Sequence, residues 1–471
     1  MVDRLPQQDK EMAEPMRTAA IGLLIALSAA SPSVGEETVP LNLRTARVSP
    51  GWITEGVMYQ IQPRAFTAEG TLKAAQARLG KLAELGVTIL YLCPVFVADD
   101  DMDQASWSPR QKKSGMNNPR NPYRMKDFYH VDPEYGTDQD LKDFVAAAHA
   151  LRMRVMLDMV YLHCGPRAVF LEAHPDFVKR DKNGKIKNAG WSFPALNHAS
   201  PELREYLWQN MEWWVRDFDV DGFRCDVSDG IGLDFWETAR QRLEKLRPDV
   251  GMLAEGTRKA DQLKAFDLDY GWGFAWDNAA TVRTQWEKMR AERPRGGARF
   301  IRFIDNHDIA NDSYDNRIEK RWGAARVEAA LVAIFTLDGV PFLYNGQEVA
   351  DTARHSIFGR MPIDWANAKT AAGQARFAFC RRLCAMRRSR PALTRGELVW
   401  VDNDAPSAVL SYLRTSAEEK VLTVVNLTNK PVNVKLAELK ETFKPLLAEG
   451  AKHDERGTFA LESNGYFVGR K

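Results

Sequence analysis

Eight short apolar runs with helical patterns between them constrain this chain more than any other feature of its sequence. The runs are Val57–Ile61, Val87–Leu92, Val155–Val160, Gly222–Val227, Met252–Glu255, Phe266–Leu268, Phe300–Ile304 and Val340–Tyr344. Apolar residues recur at helical spacing over Leu72–Leu85, Asp138–Leu151, Pro201–Asp217, Leu233–Leu246 and Gly323–Leu337. Short, mainly apolar runs alternating with amphipathic helical patterns predict strands with helices between them. Eight of them predict a closed (β/α)8 barrel of the α/β class. With 471 residues, 45% of them hydrophobic, the chain is long enough for that barrel and a smaller second domain.

Several of these runs end in polar groups: Asp158 with His163, Arg224 and Asp226, Glu255, and Asp305-Asn306-His307-Asp308. Alternation along a strand points Arg224 and Asp226 to one face, so a permanent cation is expected to hold the carboxylate ionised. Taken singly, such a pair reads as a surface ion pair and each acid as a helix cap. Taken together they converge, because the carboxyl ends of barrel strands share one rim, where chemistry collects.

The barrel is expected over residues 49–389, with a short lobe at about 164–196 after the third strand. Residues 390–471 turn to short strands separated by turn residues and predict an antiparallel β-sandwich. The long loop 95–122 and the lobe both belong to the rim, which makes Trp107 and Trp191 candidate sugar platforms or loop-packing residues. Residues 1–48 are a leader and linker. Arg17, the apolar run Ala19–Leu27 and the small residues Ser28-Ala29-Ala30 predict a secretory signal and an exported, periplasmic or extracellular protein. The same run also reads as an amphipathic first helix or an uncleaved anchor. With 65 basic and 63 acidic residues and no basic run interleaved with aromatics, nucleic acid is not an expected partner, and no stable membrane partner is expected. The five cysteines read as buried thiols, not a disulfide framework.

Four stretches carry a resemblance. His163 preceded by Leu157-Asp158-Met159-Val160, the run Gly222-Phe223-Arg224-Cys225-Asp226, Leu253-Ala254-Glu255 and Phe303-Ile304-Asp305-Asn306-His307-Asp308 resemble, in order, the four sequence blocks of the α-amylase family of glycoside hydrolases. Asn121-Pro122-Tyr123, Tyr135-Gly136-Thr137, Leu196-Asn197 and Tyr344-Asn345-Gly346-Gln347-Glu348 extend it over most of residues 50–370. The resemblance implies a retaining mechanism with Asp226 as nucleophile, Glu255 as general acid/base and Asp308 as the carboxylate that binds the sugar's 2- and 3-hydroxyls. It also implies that His163 and His307 bond the reacting sugar, that Tyr123 lies under its ring, and that Arg224 belongs to the same substrate-binding set.

The departures matter too. The family's calcium ligands fall here at Leu162 and Gly230, so that calcium site is expected to be absent and no cofactor is expected, although the acidic run Asp99-Asp100-Asp101-Met102-Asp103 leaves a cation elsewhere open. Asp229 stands where the family has a basic residue for the leaving sugar. The expected function is hydrolysis of α-1,4 links in starch- or glycogen-derived glucans. Two alternatives stay open: an α-1,6-glucosidase, transglycosylase or isomerase on the same fold, suggested by Val227 after the nucleophile, and a non-catalytic glycan-binding protein.

Overall fold

The computed structural model describes residues 39–274, 276, 278–313, 317–437, 439, 441–454 and 456–471. The leader at Met16–Ala30 lies outside the described residues. From Pro40 to Lys471 the chain is one compact unit.

The barrel is built from β1 (Met58–Ile61), β2 (Ile89–Leu92), β3 (Arg154–Met159), β4 (Gly222–Cys225), β5 (Gly251–Ala254), β6 (Leu268–Tyr270), β7 (Phe300–Arg302) and β8 (Val340–Tyr344). Each pairs in parallel with its sequence neighbours, and β1 pairs with β8 to close the ring. The two-residue period of each strand divides its side chains. Met58, Ile89, Met156, Leu253, Leu268, Ile301 and Phe342 fill the interior, while Tyr59, Leu90, Val155, Phe223 and Met252 pack outward against the helices. Both faces are therefore buried, which is why the strands read as unbroken apolar runs.

The helices most relevant to the site are α1 (Asp138–Ala150), α2 (Pro201–Phe218), α3 (Leu233–Leu246), α4 (Ala279–Arg290), α5 (Ala324–Thr336) and α6 (Ala371–Arg388). Helix α1 starts on a capping box between Thr137 and Asp140. Gly222 opens β4 because the neighbouring strand comes so close that a Cβ there would run into the Gly251 carbonyl oxygen. Gly222→Ala is expected to destabilise the fold by about 1–3 kcal/mol, read from denaturant unfolding.

Some expectations shift. The helix expected over residues 72–85 is two pieces, Leu72–Gln76 and Leu79–Leu85, with Arg78 at the break, its guanidinium over the Trp365 ring. Strand β6 begins two residues later than its apolar run, because the Asp267 carboxylate is turned aside to accept the Met252 N–H at 2.8 Å.

The C-terminal sheet contains β9 (Glu397–Trp400), β10 (Val409–Thr415), β11 (Lys420–Asn426), β12 (Val432–Lys435), β13 (Lys444–His453) and β14 (Thr458–Arg470), all antiparallel. The 13-residue strand β14 pairs with β11, β12 and β13. Leu422, Val424, Phe459 and Phe467 enclose a core of their own, whereas Val421, Val425, Leu410, Tyr412 and Val468 join the core around the barrel. Arg414 and Arg387 tighten this joint: Arg414 Nη1 donates to the carbonyls of Thr336 (3.0 Å) and Leu337 (2.5 Å), and Arg387 Nη2 to Gly339 (2.6 Å). These carbonyls lie at and beyond the end of α5, where cations are favoured. Among the described residues no helix is long and apolar enough to cross a membrane.

Candidate active site

The rim at the carboxyl ends of the strands gathers side chains from distant parts of the chain around one buried guanidinium. Arg224 on β4 has Nη1 2.6 Å from Asp158 Oδ1 on β3 and 2.7 Å from Asp226 Oδ1 just past β4. Its Nη2 lies 2.8 Å from Glu255 Oε2 just past β5, without the alignment of a hydrogen bond. The rings of Tyr91, Tyr123 and Tyr270 wall the same guanidinium at 5.9, 6.0 and 5.5 Å, so it is fully enclosed.

Glu255 is held from a second direction. Its Oε2 accepts the Val227 N–H at 2.9 Å, and its main-chain oxygen accepts the Ser228 N–H at 3.1 Å. Val227 sits in the left-handed region at φ 41°, an unusual place for a β-branched residue, and this turn is what aims its N–H at the carboxylate.

Asp308 and His307 stand at the start of the short helix His307–Ser313 after β7. Gln60 brackets His307, its Nε2 donating to Nδ1 at 2.7 Å and its Oε1 accepting the His307 main-chain N–H at 3.1 Å. With Nδ1 an acceptor, the proton of the neutral ring is on Nε2, which bonds the Tyr123 hydroxyl at 2.7 Å and lies 3.4 Å from Asp308 Oδ2. Tyr123 in turn donates to Asp158 Oδ2 at 2.9 Å, as does Tyr91 at 2.7 Å, and the Tyr123 and His307 rings stack 5.3 Å apart. His163 donates from Nε2 to the Tyr123 carbonyl at 2.9 Å and leaves Nδ1 buried without a protein partner.

The electrostatics differ among the three acids. Burial pushes Glu255 up to about 7; Arg224 opposes the shift and the charge of Asp308 adds to it. Burial also raises Asp226 well above the ordinary carboxylate value, with Arg224 opposing and Glu255 and Asp158 adding. The expectation that Arg224 simply holds Asp226 ionised is thus corrected: one guanidinium is shared by three acids, so its hold on each is diluted. Burial would raise Asp308 as well, but His307 and Arg110 outweigh it and hold this acid at about 2. Burial lowers His163 to about 4 and lowers His307, keeping both rings neutral at pH 7.

The structure brings Asp226, Glu255, Asp308, Arg224, His163, His307 and Tyr123 to one rim. Trp107 is different, being 1% exposed with its indole N–H on the Asp101 carbonyl, so it packs the loop. Trp191 is 45% exposed with its ring 5.7 Å from that of His163. The acidic run is occupied by its own loop and by the lobe after β3: Asp99 accepts the N–H groups of Asp101 and Arg167, and Asp101 accepts from the Arg167 side chain. Gln60, Tyr91, Tyr270, Arg110 and the Val227 N–H were not singled out from the sequence. Tyr91 and Tyr270 were findable as polar-tipped residues on inward strand positions; Arg110 lies in a loop with no periodic signal.

A family model described as the alpha amylase catalytic domain matches residues 54–189 and 187–405. The chain belongs to the alpha-amylase family. It is a glycoside hydrolase of that family, similar over most of its length to enzymes of several bacteria. A cyclomaltodextrinase of a Bacillus species is 25% identical over 440 residues, covering 80% of this chain and 73% of that protein. The intracellular maltogenic amylase of Bacillus subtilis strain 168 is 25% identical over 451 residues, covering 83% and 71%. Among solved structures, the maltogenic alpha-amylase AmyB from Thermotoga neapolitana shares the fold with a TM-score of 0.75 at 24% identity, covering 89% of this chain and 99% of that one. The expectation of export does not stand, because relatives that align over most of this chain are named intracellular enzymes.

Proposed function

We propose that this family member is a retaining hydrolase of α-1,4-glucosidic bonds in short or cyclic glucans, working through a covalent glycosyl-enzyme. The observation that carries the proposal is the single guanidinium of Arg224 set between Asp226 and Glu255. A retaining pair needs two close carboxyl groups, one ionised for attack and one protonated for the leaving oxygen. Burial raises both acids, so the pair shares a proton, and the aligned N–H that Arg224 gives to Asp226 and not to Glu255 biases the negative charge toward Asp226 and the proton toward Glu255. Because such acids titrate together, the protonation step belongs to the pair.

In the first step Asp226 Oδ attacks the anomeric carbon while Glu255 gives its proton to the departing oxygen. In the second, Glu255 takes a proton from water, which attacks the same carbon and frees Asp226. Asp308, ionised at any working pH, accepts hydrogen bonds from the 2- and 3-hydroxyls. Neutral His163 and His307 offer bonds to the same sugar, and Tyr123 supports its ring. Where the family places calcium, the Leu162 side chain closes over Gly230, 2.8 Å from where a Cβ would stand, and neither residue has a side-chain oxygen. These residues do not fit the ion, and no step uses it.

Since Glu255 must hold its proton to act as acid, kcat/KM is expected to fall as pH rises through about 7, and to fall also on the acid side, where Asp226, itself raised by burial, takes up a proton. A pH profile with no decline between about 6 and 9 would contradict this assignment. The decisive experiment is chromatography of products from maltooligosaccharides, a cyclodextrin and isomaltose with retention of anomeric configuration followed by NMR; release of the β-anomer first would exclude a retaining mechanism. Val227, which resembles the residue of α-1,6-acting members, keeps the α-1,6 reading in view, and turnover of isomaltose in preference to maltose would select it.

A further inference from the structure

We propose that Arg110 is a positioning residue for Asp308, so that the loop 95–122, which carries none of the family's four sequence blocks, completes the catalytic site. The proposal rests on the reading of Asp308 as the group that binds the sugar's vicinal hydroxyls. Arg110 Nη1 donates to Asp308 Oδ1 at 2.8 Å, and Nη2 to the Asp308 main-chain oxygen at 2.6 Å. A contact to side chain and main chain together fixes the rotation of the carboxyl as well as its charge. It engages Oδ1 and leaves Oδ2 on the side of His307 Nε2. Both side chains are partly exposed, 28% and 29%, so the pair sits at the opening of the site and not in the core.

The loop is built to carry this guanidinium. Arg110 belongs to the helix Pro109–Lys113, which begins with the Ser108 hydroxyl accepting the Gln111 N–H at 3.0 Å. The Gln111 carboxamide donates to the carbonyls of Asn118 and Pro119. Behind it Arg124, wholly buried, donates to the carbonyls of Asp99, Asp101 and Pro119, tying the start of the loop to its end. Asn118 then reaches across to the Phe358 carbonyl at 2.9 Å, which anchors the loop to the segment after β8. A side chain placed by such a scaffold loses little entropy when it orients its partner.

The test uses α-D-glucosyl fluoride with its 2-deoxy and 3-deoxy analogues, and the variants R110A, R110K, D308N and R110A/D308N. If Arg110 acts through Asp308, R110A lowers kcat/KM on the parent donor by about 10–100-fold, the scale of one charged hydrogen bond. R110K, which keeps the charge but not the fork, recovers part of this loss. On the donors lacking a hydroxyl the loss shrinks to about 3-fold or less, and in the D308N background R110A costs nothing further, because the interaction it served is already gone. An equal loss on all donors, a loss that multiplies with that of D308N, or unchanged activity on the parent would overturn the proposal. Thermal melting of each variant identifies an equal loss as a folding defect, which likewise overturns it. Wild-type protein inert toward the parent donor and every α-glucan would remove the reading of the site itself, and with it the role of Arg110.

Discussion

Replacing Asp226 by Asn is expected to lower kcat on maltooligosaccharides by about 10⁴-fold or more, because the amide has the shape of the nucleophile without its charge. The fold should survive the change. Asp226 is buried, and its raised pKa means that its ionised form is held at a cost to stability. Asn removes that charge, so the melting temperature is expected to stay level or rise. Loss of activity with an unchanged or higher melting temperature marks a catalytic group; residual activity within about 10-fold of wild type would assign the nucleophile elsewhere.

Arg224→Met should be damaging in both respects. The guanidinium touches Asp158, Asp226 and Glu255 within a site closed by three tyrosine rings. Without it, buried carboxylates face one another with no counter-charge, a situation that costs about 3–5 kcal/mol for a single broken buried pair. Activity should fall by about 10³-fold or more, because no charge remains to favour ionised Asp226 over protonated Glu255. The sign of the pH effect follows from the same acids. The folded pKa values of Asp226 and Glu255 lie above their unfolded ones, so each of these two destabilises most above its folded pKa and least once protonated. The stability deficit of Arg224→Met, measured by denaturant unfolding, should therefore narrow as pH falls from 8 toward 5. A deficit that widens on that side would show that the cation is not what balances these acids.

Much of this molecule could be read in advance because its strands are buried on both faces and so announce themselves as apolar runs. Val340–Tyr344 and Leu233–Leu246 were legible to the residue. The acids were legible because Asp226 and Glu255 stand at the ends of such runs, Asp308 follows one within four residues, and each shares its block with a recognisable neighbour. What escaped has physical reasons. Helix α6 carries Arg376 and Arg387 at buried positions, which breaks the apolar stripe that marks a helix. Strand β13 alternates weakly and contains Pro445 and Gly450, residues that argue against a strand. Asp226 was expected to be simply anionic because two residues on one strand were weighed as a pair, whereas the fold brings Asp158 and Glu255 to the same guanidinium. Arg110 was invisible since its partner lies almost two hundred positions away, and nothing in a polar loop marks one arginine among its neighbours.

The shared core beneath the C-terminal sheet has a further implication for how enzymes of this build diversify. Leu410, Tyr412, Val421, Val425 and Val468 are interior residues of the same apolar mass that supports the barrel helices, and Arg414 caps the chain just before β8. A recombination event that exchanged this terminal portion for an unrelated module would strip helix α5, which precedes the last barrel strand, of its backing. Exchange of either portion alone is therefore expected to cost stability, whereas the loops of the rim can change without disturbing this joint.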